Sequence, residues 1–485
     1  MAVLGRQTFL QNLGKIYGGY AGGFIGFVIL LAILEQMGVA NVYIGYAFVF
    51  LTIAVYAYIG IISRTAELAE YYVAGRAVPP FYNGMATGAD WMSAASFISM
   101  AGGLYLQGYG GMGYVLGWTG GYVLVGVLLA PYLRKFGQFT VPDFLGVRYE
   151  GHAARICGVI VLFCASFTYI IAQCFGIGII TSRFIGISFE LAIFVGLLGI
   201  LVCSMLGGMR AVTWTQIAQY IILIMAYLVP VVWLSTKKYG IPIPELTYGQ
   251  ALQQIAELEK SLGIVKAHSA AYVDAAGKFS WVEFHNFWAL VLCLMVGTAS
   301  LPHILMRYFT TPNVRDARES VGWSIFFIFL LYFTAPAYAA FAKLEVYSNV
   351  IGQPIASLPA WVQNWSQVGG LLTIKDANND GILQLAEFVI NQDIVVLSMP
   401  EIAGLPYVIS GLVAAGGLAA ALSTADGLLL AIANALSHDV YYKMINPRAS
   451  TVVRLTVARV LLVAVALVAA AVAGTRPAGI IQMVA

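Results

Sequence analysis

Two stretches of the sequence place oxygen-bearing side chains inside otherwise apolar segments. Residues 80–97 contain Asp90 among glycines and hydroxyl side chains, and residues 416–427 contain the adjacent hydroxyls Ser423 and Thr424. A carboxylate at membrane depth costs on the order of 3 kcal/mol or more unless it is paired, so such a residue is a functional candidate. Small residues allow a helix to unwind and expose carbonyl oxygens, and hard cations take oxygen ligands. Both clusters are therefore candidate cation sites.

Each cluster also has a structural explanation. Asp90 would then cap or hydrogen-bond a neighbouring helix, and Ser423 and Thr424 would bond back to their own helix backbone. Asp426 follows the two hydroxyls in the sequence. Asp90 and Asp426 are the carboxylates of the two clusters. If the protein moves a solute, they are the candidate residues for coupling that movement to an ion, and they would carry the proton if the ion is H⁺.

A third set of oxygen atoms follows the spacing of an EF-hand calcium loop. Residues 376–387 have Gly381 at the sixth position, which permits the sharp turn, and the apolar Leu383 at the eighth. The predicted ligands are the side chains of Asp376, Asn378, Asp380, Gln384 and Glu387 and the carbonyl of Ile382. An accidental polar turn is the alternative. The spacing predicts a structural Ca²⁺ that orders this segment.

The composition places these clusters in a membrane protein. Of 485 residues, 60% are hydrophobic and 10% charged, whereas soluble domains carry about 25% charged residues. The formal net charge of +3 gives no basic surface for nucleic acid. The five cysteines lie in apolar stretches and predict no disulfide framework. The chain is expected to be an all-α integral membrane protein in a lipid bilayer.

Eleven apolar segments are long enough to span that bilayer, because about 20 helical residues cross the ~30 Å hydrocarbon core. They run approximately over residues 17–37, 40–62, 81–107, 110–132, 153–183, 188–206, 212–235, 283–303, 320–342, 403–431 and 452–474. Lysine and arginine in the short loops favour a cytoplasmic N-terminus. Two long segments, 236–282 and 343–402, then lie on the outer side.

Several motifs resemble the sodium:solute symporter family, from about residue 65 to the end. They lie at residues 71–76, 89–97, 207–214, 423–424 and 437–441. Residues 297–307 are similar to the family's bacterial cation/acetate, or monocarboxylate, branch.

The resemblance implies a five-plus-five inverted repeat that exposes a central site alternately to each side of the membrane. The implied divisions are two accessory helices (1–64), the first repeat (65–235), an outer loop (236–282), core helices 6 and 7 (283–342), an outer loop with the calcium motif (343–402), and core helices 8 and 9 (403–485).

The resemblance also implies site residues. Sodium would be held by carbonyls of Ala89, Met92 and Ala420 and by the hydroxyls of Ser423 and Thr424. Substrate contacts would fall on Trp91, Ser93 and Gln173. Alternatively, the Gln173 side chain forms a hydrogen bond between two helices.

Two positions depart from the family pattern. Gln216 stands where several branches carry an Asp, which argues against a second sodium site or an ion-exit carboxylate there. Only eleven residues follow Gly474, too few to span. The tenth core helix is therefore expected to be absent from this chain, either through truncation or because another polypeptide completes the bundle.

The resemblance implies a sodium-coupled importer of a small organic anion, such as acetate or another monocarboxylate, in a bacterial cytoplasmic membrane. A small membrane companion subunit is a further expectation. Two alternatives remain open: a proton-coupled transporter, and a sensory or regulatory module that binds the solute without moving it.

Overall fold

The computed structural model describes residues 6–367 and 370–485. Within them, helices dominate, and nine are long and apolar enough to cross a membrane. The N-terminal helices are α1 (Arg6–Gln11), α2 (Leu13–Gln36) and α3 (Asn41–Ile62). The next are α4 (Leu68–Val73), α5 (Pro80–Trp91), α6 (Met100–Gln107), α7 (Met112–Leu124), α8 (Ala130–Phe136), α9 (Val141–Arg148), α10 (His152–Ile185) and α11 (Phe189–Tyr239).

The remaining helices are α12 (Pro244–Ser261), α13 (Trp281–Ala299), α14 (Pro302–Met306), α15 (Val314–Asn349), α16 (Ala360–Ser366), α17 (Val395–Ile402), α18 (Tyr407–Asn434), α19 (Thr451–Gly474) and α20 (Ile480–Val484). Wider helical turns at Ala95–Ser99, Val125–Leu129 and Ala435–Ile445 precede α6, join α7 to α8, and extend α18. The two strands are β1 (Leu372–Ile374) and β2 (Phe388–Ile390).

Two of the nine continuous helices are too long for one crossing. The continuous helical stretch Ala95–Phe136, which includes α6, α7 and α8, has 42 residues, and α11 (Phe189–Tyr239) has 51. These lengths correspond to about 63 and 77 Å at 1.5 Å per residue. Each contains one glycine with a left-handed φ, Gly108 at 56° and Gly208 at 53°. A Cβ on Gly208 would lie 2.5 Å from the carbonyl oxygen of Tyr71, so the turn requires glycine. Divided at these turns, the nine helices give eleven segments, the number that the sequence predicts.

Some predicted boundaries were wrong. The eighth span, predicted over 283–303, ends as α13 at Ala299, and the chain resumes a helix only at Pro302. Proline fixes its own φ and fits the first turn of a helix, so it starts a new helix here. The first core helix is also interrupted, between α5 and Ala95. The first helix of each predicted repeat is thus broken.

Helix α18 lies at the centre of the bundle, with 94% of its most apolar 18-residue window buried, against 17% for α2. It packs against α3, α10, α11, α17 and α19. Its small residues make this possible, since a Cβ on Gly416 would lie 2.2 Å from the Ala226 side chain. The hydroxyl pair on α18 is therefore carried into the middle of the protein.

The long segments between helices pack on one end of the bundle. In one of them α12 packs against α15. In the other, β1 and β2 form an antiparallel pair in which Leu372 lies opposite Ile390. The Trp365 indole donates to Glu401, which also lies 3.5 Å from Arg183 at the end of α10. These contacts anchor the predicted outer loops to the membrane helices.

Candidate sodium and substrate site

The break after α5 changes where its backbone groups bond. Met92 leaves the helical conformation with ψ 69°. The N–H of Ser93 then donates to the Trp91 carbonyl at 2.9 Å, and the N–H of Ala94 donates to the Gln173 side-chain oxygen at 2.9 Å. In a continuous helix these N–H groups would bond to carbonyls four residues earlier. The last carbonyls of α5 are therefore left for other donors.

The hydroxyls of α18 occupy those carbonyls. The Ser423 hydroxyl donates to the Ala89 carbonyl at 2.7 Å and also lies 2.9 Å from the Ala420 carbonyl. The Thr424 hydroxyl donates to the Asp90 carbonyl at 2.8 Å. All five residues are buried. The cluster offers only oxygen atoms, which is the ligand set that a hard cation requires.

Four of the five predicted sodium ligands, Ala89, Ala420, Ser423 and Thr424, thus meet in one cluster. The fifth, Met92, lies fully buried in the break three residues beyond Ala89. Their role as sodium ligands stays a prediction.

The Asp90 carboxylate forms a fully buried ion pair with Arg307, with Nε 2.9 Å from Oδ2 and neither side chain exposed. Arg307 also donates to the Thr213 hydroxyl at 3.1 Å and to the side-chain oxygen of Gln216. Gln216 in turn donates to the Ser423 carbonyl at 2.8 Å. Arg307 therefore neutralises the charge of Asp90. Gln216, the residue that departs from the family pattern, links this ion pair to α18.

Asp426, the second predicted coupling residue, lies on α18, two residues after Thr424, and within the described part of the chain has no ion-pair partner like that of Asp90. It is buried, and the Ser204 hydroxyl donates to its carboxylate. Among the described residues, no lysine, arginine or histidine nitrogen lies within 4.0 Å of it. The neighbouring Gly427 gives Asp90 room, since a Cβ there would lie 2.3 Å from the Asp90 carboxylate.

A cavity of about 330 Å³ lies beside the break after α5. We call it the central cavity. The residues with polar or aromatic side chains that line it include Trp91, Ser96, Trp118, Thr168, Tyr169, Thr298, Ser300, His303 and Tyr332. The volume is at the lower end of the range for small-molecule sites. Trp91 and Ser96 flank the break, so the cavity and the oxygen cluster share the interrupted segment, although no residue of the cluster lines the cavity.

Of the three predicted substrate contacts, only Trp91 lines this cavity. Its indole N–H is buried and has no hydrogen-bond partner among the described residues. The side-chain oxygen of Gln173 accepts the Ala94 N–H, the interhelical hydrogen bond given as the alternative, and its side-chain nitrogen is buried without a partner among the described residues. Ser93 is buried within the break and is not part of the cavity wall.

Sequence reasoning missed Tyr169, His303 and Tyr332 as cavity residues. His303 is 1% exposed, and within the described part of the chain neither ring nitrogen has a hydrogen-bond partner. The Tyr332 hydroxyl lies 2.7 Å from the Ser96 hydroxyl. His303 follows the break before α14 and lies inside the 297–307 motif, which was the one signal available. Its position opposite Tyr169, with ring centroids 5.7 Å apart, appears only in the folded chain.

The predicted calcium loop has part of the expected geometry. Leu383 is buried, and its N–H donates to the Gln353 carbonyl at 2.9 Å, so the eighth position forms a short strand pair. The Glu387 carboxylate closes the loop by accepting the N–H groups of Ala377 at 2.8 Å and Gln384 at 3.0 Å. The loop is flanked by β1 and β2 rather than by two long helices.

The other loop ligands bond mainly to one another. The side-chain amides of Asn378 and Gln384 each donate to Asp380 at 2.9 Å. The pKa of Asp380 is lowered, chiefly because the Ile382 N–H donates to its carboxylate. One oxygen of Asp376 is buried without a partner among the described residues. This donor set fits Ca²⁺, although the ion would have to replace these internal hydrogen bonds.

A separate charged cluster lies where the end of the α18 extension meets α9, α10 and α19. Asp143 and Asp439 lie 3.0 and 3.4 Å from Arg155. His438 lies 3.1 Å from Asp143 and 3.0 Å from Arg454. Asp143, His438 and Asp439 bring possible ligand atoms within 4.8 Å of one another. These side chains already contact Arg155 and Arg454. The cluster is therefore an ion-paired link between helices rather than an open metal site.

Comparison with known proteins assigns this arrangement to a class. The profile of the sodium:solute symporter family matches residues 71–357 and 371–485. The chain belongs to that family. It is a multi-pass, all-α membrane transporter, and family membership supports coupling to Na⁺.

Two individual proteins illustrate the similarity. An uncharacterized symporter of Cupriavidus necator is 44% identical, and the alignment covers 99% of this chain and 84% of that protein. The solved structure of a Na⁺-coupled sialic acid symporter, in a substrate-bound outward-open state, is 16% identical with a TM-score of 0.68. That alignment covers 89% of this chain and 82% of the solved chain. At this identity the likeness concerns the fold.

Proposed function

We propose that this protein couples Na⁺ entry to the uptake of a small organic anion, acetate or a related monocarboxylate, across a bacterial cytoplasmic membrane. The observation that carries the proposal is the pair of contacts from Ser423 and Thr424 to the freed carbonyls of Ala89 and Asp90. They lie beside a cavity that could hold the substrate.

In this proposal sodium binds to Ala89, Met92, Ala420, Ser423 and Thr424 and holds α5 against α18. Substrate binds in the cavity that α5 also lines. Since both ligands stabilise the same arrangement of α5, each raises the affinity for the other. The predicted division into accessory helices, residues 1–64, and two inverted repeats then gives the parts that move against each other.

The lining of the central cavity supports a small substrate that forms hydrogen bonds, although it has no lysine or arginine among the described residues. The Trp91 indole and the His303 imidazole are buried groups whose nitrogens lack partners among the described residues. Such groups stabilise a ligand that supplies the missing hydrogen bonds. Acetate would leave part of the 330 Å³ free, so longer monocarboxylates also fit.

The test is uptake into proteoliposomes. Labelled acetate, propionate and butyrate are presented with either Na⁺ or K⁺ outside and with the membrane potential clamped. We expect at least one acid to accumulate only with Na⁺. Equal entry with K⁺ would refute sodium coupling, and failure of every acid with a sodium gradient would refute the substrate class.

Proton coupling is the second candidate. It is favoured by the buried carboxylate of Asp426, which has no cationic nitrogen within 4.0 Å among the described residues. Asp426→Asn keeps the oxygen that accepts from Ser204 and removes the titratable group. Sodium coupling predicts uptake within about threefold of wild type with its Na⁺ dependence intact. Loss of uptake, in a protein that responds to a pH gradient and not to Na⁺, would support the proton mechanism.

We also propose that Ca²⁺ binds the loop 376–387 through Asp376, Asn378, Asp380, Ile382, Gln384 and Glu387 and orders the segment 343–402. The unpartnered Asp376 oxygen and the buried Leu383 support this. The predicted companion subunit is addressed by co-purification of the tagged chain from its native membrane.

A further inference from the structure

A second cavity, of about 430 Å³, lies at the predicted outer end of the bundle. It is enclosed by the turn between α6 and α7, the loop before α13, and the helices α13 and α15. We call it the outer cavity. Its wall includes Tyr109, Lys266, His268, Tyr272, Phe287 and Lys343.

Lys343 is an unusual wall residue because it is only 6% exposed. Within residues 6–367 and 370–485, no carboxylate oxygen lies within 4.0 Å of its ammonium group. Its nitrogen lies 5.5 and 5.6 Å from the ring centres of Tyr105 and Tyr347. Cation–π contacts offset only part of the cost of burying an ion. Lys343 therefore lacks a direct ion-pair partner among the described residues.

The ionisable groups nearest Lys343 are Glu259 and His268, and the negative charge of Glu259 partly balances that of Lys343 without a direct contact. Glu259 is buried on α12, and both of its carboxylate oxygens accept the backbone N–H of His268 at 3.0 Å. His268 is uncharged, since burial, reinforced by Lys343, lowers its pKa to about 3. Its Nδ1 is buried and unpartnered within the described residues. The cavity wall itself carries Lys266, Lys343 and one acid, Glu283.

The outer cavity and the central cavity share one face of α13. Glu283, Phe287 and Leu290 line the outer cavity, and Leu294 and Thr298 line the central one. These residues follow one another at spacings of three or four, so they form one stripe along the helix. Phe287 and Thr298 are separated by about 16 Å along the axis. The two cavities therefore lie along the same face of α13, and between them this face packs against Gly113 and Gly117 of α7.

We propose that the outer cavity is a second binding site for small monocarboxylates, in which Lys343 pairs with the carboxylate. Tyr109 and Phe287, whose rings stack at 5.5 Å, pack against the carbon chain. The central cavity has no lysine or arginine among its lining residues within the described chain, so the outer site supplies the charge selection that the central cavity lacks. The choice of anion rests on the proposed function.

The test is equilibrium binding of labelled butyrate to the full chain in lipid nanodiscs. With K⁺ as the only alkali cation the central site lacks its coupling ion, so we expect one site per chain, and two sites with Na⁺. Lys343→Met should lower the butyrate affinity of the site measured in K⁺ at least tenfold and leave the sodium-dependent site unchanged. Lys343→Arg should retain both. Lys260→Met, an exposed lysine of α12 outside the cavity, is the matched control.

Absence of butyrate binding in K⁺ in the wild type, or an affinity within twofold of wild type for a folded Lys343→Met protein, would overturn the inference. If Lys343→Met does not fold, loss of the site measured in K⁺ in Lys343→Arg would also overturn it. The two proposals fail separately. Uptake that is independent of Na⁺ refutes the proposed coupling. The central site would then also bind butyrate in K⁺, and loss of one of the two K⁺ sites in Lys343→Met would still identify the outer site.

Discussion

The hydroxyl of Ser423 lies 2.7 Å from the carbonyl oxygen of Ala89, although the two residues are 334 positions apart in the chain. The contact exists because the break after α5 releases a carbonyl at the level where α18 presents a hydroxyl. It places a main-chain oxygen of the predicted first repeat against a side-chain oxygen of the predicted second repeat. A cation bound between them would connect the two parts that must move during transport.

Ser423→Ala should weaken sodium activation. The substitution removes one predicted ligand together with its hydrogen bond to the Ala89 carbonyl. We expect the Na⁺ concentration for half-maximal uptake to rise at least tenfold, which corresponds to about 1.4 kcal/mol. Ser410→Ala is the matched control. Ser410 is buried on the same helix, and its hydroxyl has no partner within the described residues. An unchanged sodium dependence in Ser423→Ala would remove this residue from the ligand set.

The Asp90 and Arg307 pair should be essential for stability. Breaking a buried pair costs about 3–5 kcal/mol because the remaining charge is left unpaired. Asp90→Asn and Arg307→Met should each lower the midpoint of thermal unfolding strongly. The double variant should be less destabilised than the sum of the two, which a double-mutant cycle measures.

A surface pair provides the comparison for this cycle. Glu190 and Arg476 lie 3.8 Å apart with side chains 61% and 42% exposed. Exposed pairs contribute about 0–1 kcal/mol, so Glu190→Gln should leave the midpoint nearly unchanged. Strictly additive effects of Asp90→Asn and Arg307→Met would show that the two charges do not interact.

Calcium binding should depend on Glu387. Loops of extracellular modules bind Ca²⁺ with dissociation constants of about 10⁻⁴–10⁻³ M. Calorimetric titration should detect such a site in the wild type and no heat of binding in Glu387→Gln. Glu257→Gln, which changes an exposed acid of α12, should bind as the wild type does. Equal heats from the wild type and Glu387→Gln would exclude this loop as the site.

His268 should make the segment between α12 and α13 sensitive to acid. Burial lowers its pKa to about 3, against about 6.5 in an unfolded chain. Between these values the unfolded segment binds more protons than the folded segment does. The free energy of unfolding is therefore greatest above pH 6.5 and falls as the pH decreases. The loss at pH 5.5 should be about 1.4 kcal/mol.

Limited proteolysis of this segment at pH 7.5 and 5.5 measures the effect. His268→Gln should abolish the increase in cleavage at low pH. His152→Gln, which changes an exposed histidine at the start of α10, should retain it. Identical pH profiles for the wild type and His268→Gln would contradict the assignment.

The spans and the oxygen clusters could be predicted because their cause is local. A helix that crosses hydrocarbon needs about 20 apolar residues, and a carboxylate or hydroxyl pair stands out against such a background. The family motifs added the pairing of residues near Ala89 with residues near Ser423. The prediction was wrong at the end of the eighth span, where the break between Ala299 and Pro302 depends on a backbone conformation that hydropathy does not record.

The partners of the clusters could not be predicted. Asp90 stood out by itself, but its pairing with Arg307 depends on how α5 and the chain after α14 are rotated toward each other. The side-chain oxygen of Gln173 accepts the Ala94 N–H, because the break turns that group toward α10; its contact with substrate stays a prediction. Lys343 carried no signal, since its isolation depends on what surrounds it.

The sequence by itself determined that the chain spans a membrane, which segments do so, and which side chains are too polar for that setting, because transfer into hydrocarbon acts on each segment separately. The tertiary structure decided which oxygens meet, which charges are neutralised and where cavities remain. Those outcomes depend on the packing and rotation of helices that are far apart in the chain, and local composition does not specify them.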